Sequence, residues 1–434
     1  MKKKGKRRIS LKVPFVTRLE GEGSLELSAR GNSIDKLHLA IFEPPRLFEK
    51  FLEGRDYREV PDLNARICGI CPMAYQLTSI QAMEQLFDIT LPTHLVQLRT
   101  LMNLGEWVQS HALHIHFLAA PDFLGFDHAL AMAKQHPEVL RRGMQLQEAG
   151  NALMALLGGR SVHPVGLQVG GFGRLPDVER WDEVRRLVEQ ALPAAEQLVH
   201  WTAELTLPDY SHDFTWVSLT EPDSYAINGG LITSSKGLSL SHDEYAGHFA
   251  EHQEPHSTAL YSLLDGKDYL VGPLARMNNS FALLPDEVKN LARECGLDFP
   301  SRNMFTSIQA RALEIYWALF EARWLLAMGC PTGEACLPVT PRAGECCFCT
   351  EAPRGLIYHR YRLDEQGRVL SCTIIPPTSQ NQARIEQDLK TSVSRFGLSH
   401  SDRELKLFCE RLIRNYDPCI SCSTHFLQFK IWRD

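Results

Sequence analysis

The residues with the most chemical reach stand at opposite ends of the chain. Arg66-Ile67-Cys68-Gly69-Ile70-Cys71 lies near the start, and Asp417-Pro418-Cys419-Ile420-Ser421-Cys422-Ser423-Thr424-His425 near the end. Each Cys-x-x-Cys pair can offer two thiolates to one metal, so the two pairs together make a four-sulfur donor set. A structural zinc site is one reading; a redox or catalytic metal is the other. Zinc ribbons join their pairs across roughly 15 to 20 residues, whereas Cys68 and Cys419 lie 351 positions apart. Soft thiolates suit nickel and iron as well as zinc. Each pair also has a charged neighbour, Arg66 or Asp417, which a passive tetrathiolate does not require.

The elements between the pairs must fold the two ends onto one point. Strand-like alternation marks Ser24 to Ala29 and Lys36 to Phe42. From Ala74 the apolar spacing becomes helical, and after Pro92 a long helix is predicted to reach His116. Similar patterns cover 137–157, 177–206 and 303–328. Leu356 to Leu363 and Arg368 to Ile375 read as a hairpin around Asp364 to Gly367. Gly158 to Arg174 and the cysteine-rich Cys330 to Cys349 read as long loops. The predicted fold is mainly α with small β-sheets, a single interwoven domain over 1–434 with both chain ends meeting at a buried metal centre.

Composition narrows the class. The 434 residues carry 46 Lys+Arg against 52 Asp+Glu, a net charge of −6, which gives no basic field for a nucleic acid partner. No apolar run approaches the eighteen or so residues that span a bilayer, so direct membrane insertion is not expected. Residues 1–12 are basic, and Arg7-Arg8 lacks the apolar core of an export signal. This end is read as a solvated arm of a cytoplasmic protein, in which the twelve cysteines stay reduced or bind metal.

In order and spacing, the two cysteine signatures resemble Arg-x-Cys-Gly-x-Cys and Asp-Pro-Cys-x-x-Cys-x-x-His of the large, catalytic subunit of nickel-iron hydrogenases. The resemblance continues through Thr17-Arg18-Leu19-Glu20-Gly21, Arg46-Leu47-Phe48-Glu49, His163-Pro164, Glu351-Ala352-Pro353-Arg354-Gly355 and Pro377-Thr378-Ser379-Gln380-Asn381. It implies that Cys68 and Cys419 are terminal nickel ligands and that Cys71 and Cys422 bridge nickel to an iron carrying carbonyl and cyanide. Pro353, Arg354, Pro377 and Thr378 match the pocket for those diatomic ligands; cyanide needs donors, which Arg354 and Thr378 supply. Glu49, the main chain at Ile374 and His425 match a magnesium site. Arg66, Tyr75, Asn381 and Asp417 are expected around these ligands.

The implied chemistry is heterolytic cleavage of hydrogen, the hydride going to the metals and the proton to a base. That base is Cys419 or Arg354, and Glu20 relays the proton outward. A thiolate suits the task because its ordinary pKa, roughly 8.5, lies near working pH. The resemblance further implies a small iron-sulfur subunit, and a maturation endopeptidase that removes 426–434. Many relatives have a histidine where this chain has Tyr75, which can donate a hydrogen bond but not titrate near neutral pH. Ser110-His111-Ala112-Leu113-His114 and Ser379-Gln380-Asn381 are similar to the cytoplasmic branch, which implies partner subunits that reduce NAD(P). His111, His114 and His116 are read as packed or supporting groups, and His252 and His256 as sharing a helical face without a role. The alternatives are a noncatalytic structural subunit of a respiratory complex, whose members lack the metal cysteines, and a zinc-tetrathiolate scaffold protein.

Overall fold

The computed structural model describes residues 8–424. Five helices pack around the largest core: Pro72–Leu86, Thr93–Leu113, Pro137–Gly158, Val178–Ala203 and Ser307–Ala327. Ser307–Ala327 is buried on nearly all sides, as an element apolar around its circumference must be. Thr93–Leu113 continues as a π-helical turn over His114–Ala119, so the long helix predicted to reach His116 changes its winding three residues early. Among the described residues, no helix is long and apolar enough to cross a membrane.

Small antiparallel sheets complete the mainly α architecture. One is ordered Arg8–Val13, Gly23–Arg30, Ser33–Ile41. Residues 8–12 were expected in a solvated arm, but Ile9 and Val13 alternate inward and pair with the second strand, and burial of that apolar face outweighs the basic composition. This sheet packs on helices Pro377–Phe396 and Asp402–Tyr416 in a second core, so sequence extremes share one interior. Ser401 and Glu404 form a reciprocal capping box that starts the last long helix.

The predicted hairpin is present as Gly355–Leu363 and Val369–Ile375, joined to a further strand, Gly344–Ala352. That strand corrects the loop expected over Cys330 to Cys349. Cys346 faces one core while Cys347 and Cys349 face another, the period-2 pattern of a sheet buried on both sides. The glycine-rich stretch after Gly158 contains only the two-residue strands Leu167–Gln168 and Gly171–Phe172. His252 lies on strand Phe249–Gln253, which pairs with Leu260–Leu264; His252 and His256 therefore share no helix.

Candidate metal centre

The two Cys-x-x-Cys pairs converge. The sulfurs of Cys68, Cys71, Cys419 and Cys422 all lie within 4.8 Å of one another and all four residues are buried. Cys68 Sγ is 3.4 Å from Cys419 Sγ, and Cys71 Sγ is 3.8 Å from Cys422 Sγ. Cys71 occupies the N-cap position of helix Pro72–Leu86, with Pro72 as its first residue; proline there loses no helical hydrogen bond. Buried Glu106 accepts from the Met73 and Ala74 N–H groups at 2.5 and 3.2 Å, which fixes the start of that helix just behind Cys71.

The C-terminal pair is set by a sharp exit from helix Asp402–Tyr416. Asp417 adopts φ 55° and its N–H donates to Arg414 O, a left-handed stop that aspartate tolerates better than most residues. Beyond it, Glu20 and Cys419 form a parallel bridge, Ile420 N–H donates to Glu20 O, and Cys419 N–H donates to Thr378 Oγ1 at 2.9 Å. The approach is close enough to exclude a side chain at Gly21. Its φ is +86°, and an added Cβ would sit 2.6 Å from Ile420 Cβ.

Two buried arginines position the segments that reach the sulfurs. Arg276 donates to the carbonyls of Ala352 and Pro353, at 2.9 and 3.0 Å, while paired to Glu314 and Glu351. Arg311 donates to the carbonyls of Asn415 and Tyr416. Arg354 and Asp417, one residue beyond each, meet: Arg354 Nε donates to Asp417 O at 2.8 Å and Nη2 to Asp417 Oδ1 at 3.0 Å. Arg354 Nη1 reaches Ser110 Oγ at 3.4 Å. Burial opposes the charges of both partners. Even so, Arg354, His114 and Arg311 hold Asp417 below the usual carboxylate range, and Asp417 with the cysteine thiolates holds Arg354 well above its ordinary value.

The thiols differ sharply in their surroundings. Hydrogen bonds from Cys419, Cys422 and Cys71, aided by Arg354, drive Cys68 well below the ordinary thiol range, while burial and the same neighbours push Cys419 well above it. Cys419 Sγ donates to Glu20 Oε2 at 3.1 Å, and Ser421 N–H holds that same oxygen at 3.0 Å. Tyr75 is fully buried beside Cys422 and Cys71; burial first and their charges second keep its hydroxyl protonated. His359 packs on the Tyr75 ring at 5.7 Å between centroids. It is an unforeseen neighbour, placed there by strand alternation and not by any motif.

Other expected residues fall at varying distances. Pro353 precedes Arg354 and Pro377 precedes Thr378, whose Oγ1 holds Cys419 N–H; the buried Ser379 hydroxyl makes no hydrogen bond among the described residues. Asn381 does not face the sulfurs: it bonds both the N–H and the C=O of Val271. Val271 precedes Gly272, where an added Cβ would sit 2.7 Å from Arg354 O. Arg66 is solvent-exposed beside Asp62 and corrects the expectation that it supports the cysteines; one residue off the buried register of Ile67 and Cys68, it falls on the outer side.

At the expected magnesium site Glu49 Oε1 accepts from Ile374 N–H at 2.7 Å, and burial raises Glu49 to about 7. Burial, then the charge of Glu49, pushes Glu251 well up. Glu251 thus stands close enough to Glu49 to feel its charge. The sequence held no signal for Glu251. His425 and residues 426–434 lie outside the described residues. Of the three helical histidines, His111 bonds Glu314, His114 bonds Arg414 O, and His116 stacks on Trp201; they point to three different partners.

A buried set of four thiol donors beside a fixed cation and a carboxylate fits a soft, redox-capable metal group better than it requires zinc. Comparison with known proteins agrees. The profile of the nickel-dependent hydrogenase family matches residues 46–142 and 262–425. The chain is 31% identical to sulfhydrogenase 2 subunit alpha of Pyrococcus furiosus, over 95% of this chain and 98% of that protein. It is 27% identical to the NAD-reducing hydrogenase HoxS subunit beta of Cupriavidus necator, over 96% and 95%. Among solved structures, an NAD+-reducing [NiFe]-hydrogenase in the H2-reduced state superposes with a TM-score of 0.86 at 25% identity, covering 97% of this chain and all of that one. With more than half of the chain matched by the profile and relatives aligned end to end, the chain belongs to the nickel-dependent hydrogenase family.

Proposed function

We propose that this chain is the hydrogen-cleaving subunit of a cytoplasmic NAD(P)-linked complex, one interwoven catalytic domain, with Cys68 and Cys419 as terminal nickel ligands and Cys71 and Cys422 shared with iron. The observation that carries the reading is the contact of Cys419 with Glu20 inside a four-cysteine cluster faced by Arg354. When bound, the nickel-iron group supplies the acceptor for the electron pair of hydrogen. The protein's part is to receive and remove the proton. Cys419 Sγ takes it and passes it to Glu20 Oε2, 3.1 Å away. A carboxylate held by Ser421 N–H can accept and then release it. Arg354 is the weaker candidate for the base, because Asp417 and Ser110 already engage its donors. Its fixed charge instead stabilises the anionic thiolates.

Pro353, Arg354, Pro377 and Thr378 are proposed to line the carbonyl and cyanide pocket, and Glu49, Ile374 and His425 to hold magnesium. Electrons would leave through a small iron-sulfur subunit toward NAD(P)-reducing subunits; the names of two relatives, both NAD-reducing hydrogenases, support the NAD link. Release of 426–434 by a maturation endopeptidase would precede activity. Elemental analysis and intact mass of purified active protein test the assignment together. Nickel and iron near one each per chain, with a terminus at His425, are expected; zinc alone with no hydrogen uptake would overturn it.

A further inference from the structure

We propose that His38, His256 and Glu386 form a binding site for one divalent transition-metal ion of the zinc type, separate from the cysteine centre. The three residues come from different elements: strand Ser33–Ile41, the loop after strand Phe249–Gln253, and helix Pro377–Phe396. One ligand atom from each lies within 4.8 Å of the others. His38 Nδ1 is 3.5 Å from Glu386 Oε2, and His256 Nε2 is 3.0 Å from Glu386 Oε1. Ligands about 2.0–2.1 Å from a tetrahedral zinc lie about 3.4 Å apart, which the His38 Nδ1–Glu386 Oε2 separation already matches; His256 Nε2, 3.0 Å from both Glu386 Oε1 and Tyr261 Oη, would exchange those contacts for the ion.

The surroundings prepare these groups as ligands. Leu39 N–H and Tyr261 O–H both donate to Glu386 Oε1 at 3.0 Å, which fixes the carboxylate and turns Oε2 toward His38, as supporting hydrogen bonds do around bound metals. His38 Nδ1 is buried and makes no hydrogen bond among the described residues. The two imidazole rings approach to 3.8 Å between centroids, so both rings stand at one point beside the carboxylate. His256 also lines an open cavity of about 790 Å³ together with Glu254, a carboxylate that attracts cations at an entrance. Lys36 and Lys390 oppose this from the other side, but Lys36 is paired to Glu26 at 2.6 Å.

A fourth coordination position would go to water. Bound there, the ion ties the N-terminal sheet and the Phe249–Leu264 hairpin to the helix whose first residues, Pro377 and Thr378, adjoin Cys419. Its role is therefore structural.

The test uses the full chain with its native metal centre, freed of loose metal by dialysis and titrated with zinc chloride. One additional zinc per chain is expected, with an X-ray absorption shell of nitrogen and oxygen showing imidazole scattering and no sulfur. His38→Asn, at a partly exposed position, should raise the zinc Kd at least about tenfold. Glu386→Gln should do the same, whereas His252→Asn, on the same cavity but outside the three ligands, should change it by no more than about twofold. No saturable extra zinc, sulfur in its shell, or unchanged affinity in His38→Asn would overturn the site.

Discussion

Two regions of this molecule are rich in cysteine, and they behave in opposite ways. At the centre, four sulfurs from distant segments converge within 4.8 Å beside Arg354 and Glu20. On strand Gly344–Ala352, three cysteines sit within four consecutive positions, yet alternation sends Cys346 to one core and Cys347 and Cys349 to another. Burial pushes Cys346 and Cys347 up to about 12. Cys330 and Cys336 donate to separate carbonyls, those of Pro176 and Val169. Density along the sequence is thus a poor guide to a metal site. Convergence of several sulfurs in space is what separates a set of ligands from small apolar side chains.

The sharpest way to break this contrast is to remove one sulfur from each region. Cys422→Ser should lose metal and more than about 10³-fold in hydrogen uptake, while Cys347→Ser should stay within about threefold and keep its nickel and iron. Equal losses measured on matched preparations would erase the distinction.

Glu20 tests whether the charged surroundings of the centre carry protons. Glu20→Gln should keep nickel and iron but lose about 10²–10⁴-fold in hydrogen/deuterium exchange with solvent, and the titratable Glu20→Asp should lose less. Wild-type exchange in the glutamine variant would mean the proton leaves elsewhere; loss of metals would make Glu20 structural.

Arg354→Lys keeps the charge but not the planar head that bonds Asp417 through two nitrogens. It should retain most of the metal and lose about 10²–10³-fold in turnover. Turnover like wild type would leave a purely electrostatic role.

The smallest effect concerns the strand cysteines and pH. Cys346 has a raised pKa in the folded chain, about 12, so the fold binds its proton more tightly than the unfolded chain does. Its contribution to stability is complete below the unfolded value, roughly 8.5, and is lost as pH rises toward 12. Cys346→Ala should therefore lose less urea resistance than wild type between pH 8.5 and 10.5, although it begins less stable. Parallel curves would show that burial does not set this thiol's pKa.

Much of the site was legible before any coordinates. The paired cysteine signatures, Glu20, Glu49, Arg354 and Thr378 sit in local motifs, because a ligand pair needs fixed spacing and a neighbouring residue of fixed type. The Asp364 to Gly367 turn and the long helical stretches were equally clear, since their signals are periodic and short-range. Arg66 was misjudged because adjacency in sequence carries no sense of which side of the backbone is buried. Glu106, Arg276, Arg311, Glu251 and His359 left no signature, since each acts on a segment far away in the chain.

What the sequence determined by itself is therefore the set of donors, their pairing into Cys-x-x-Cys units and the helical or strand character of most segments, all properties of spacing over a few residues. Only the tertiary structure decided that Cys68 and Cys419 meet across 351 positions, that Arg8–Val13 joins a sheet against the C-terminal helices, and that His38, His256 and Glu386 come together. Those contacts depend on which apolar faces bury one another. That choice is made by the packing of the whole chain at once and is written in no local stretch of it.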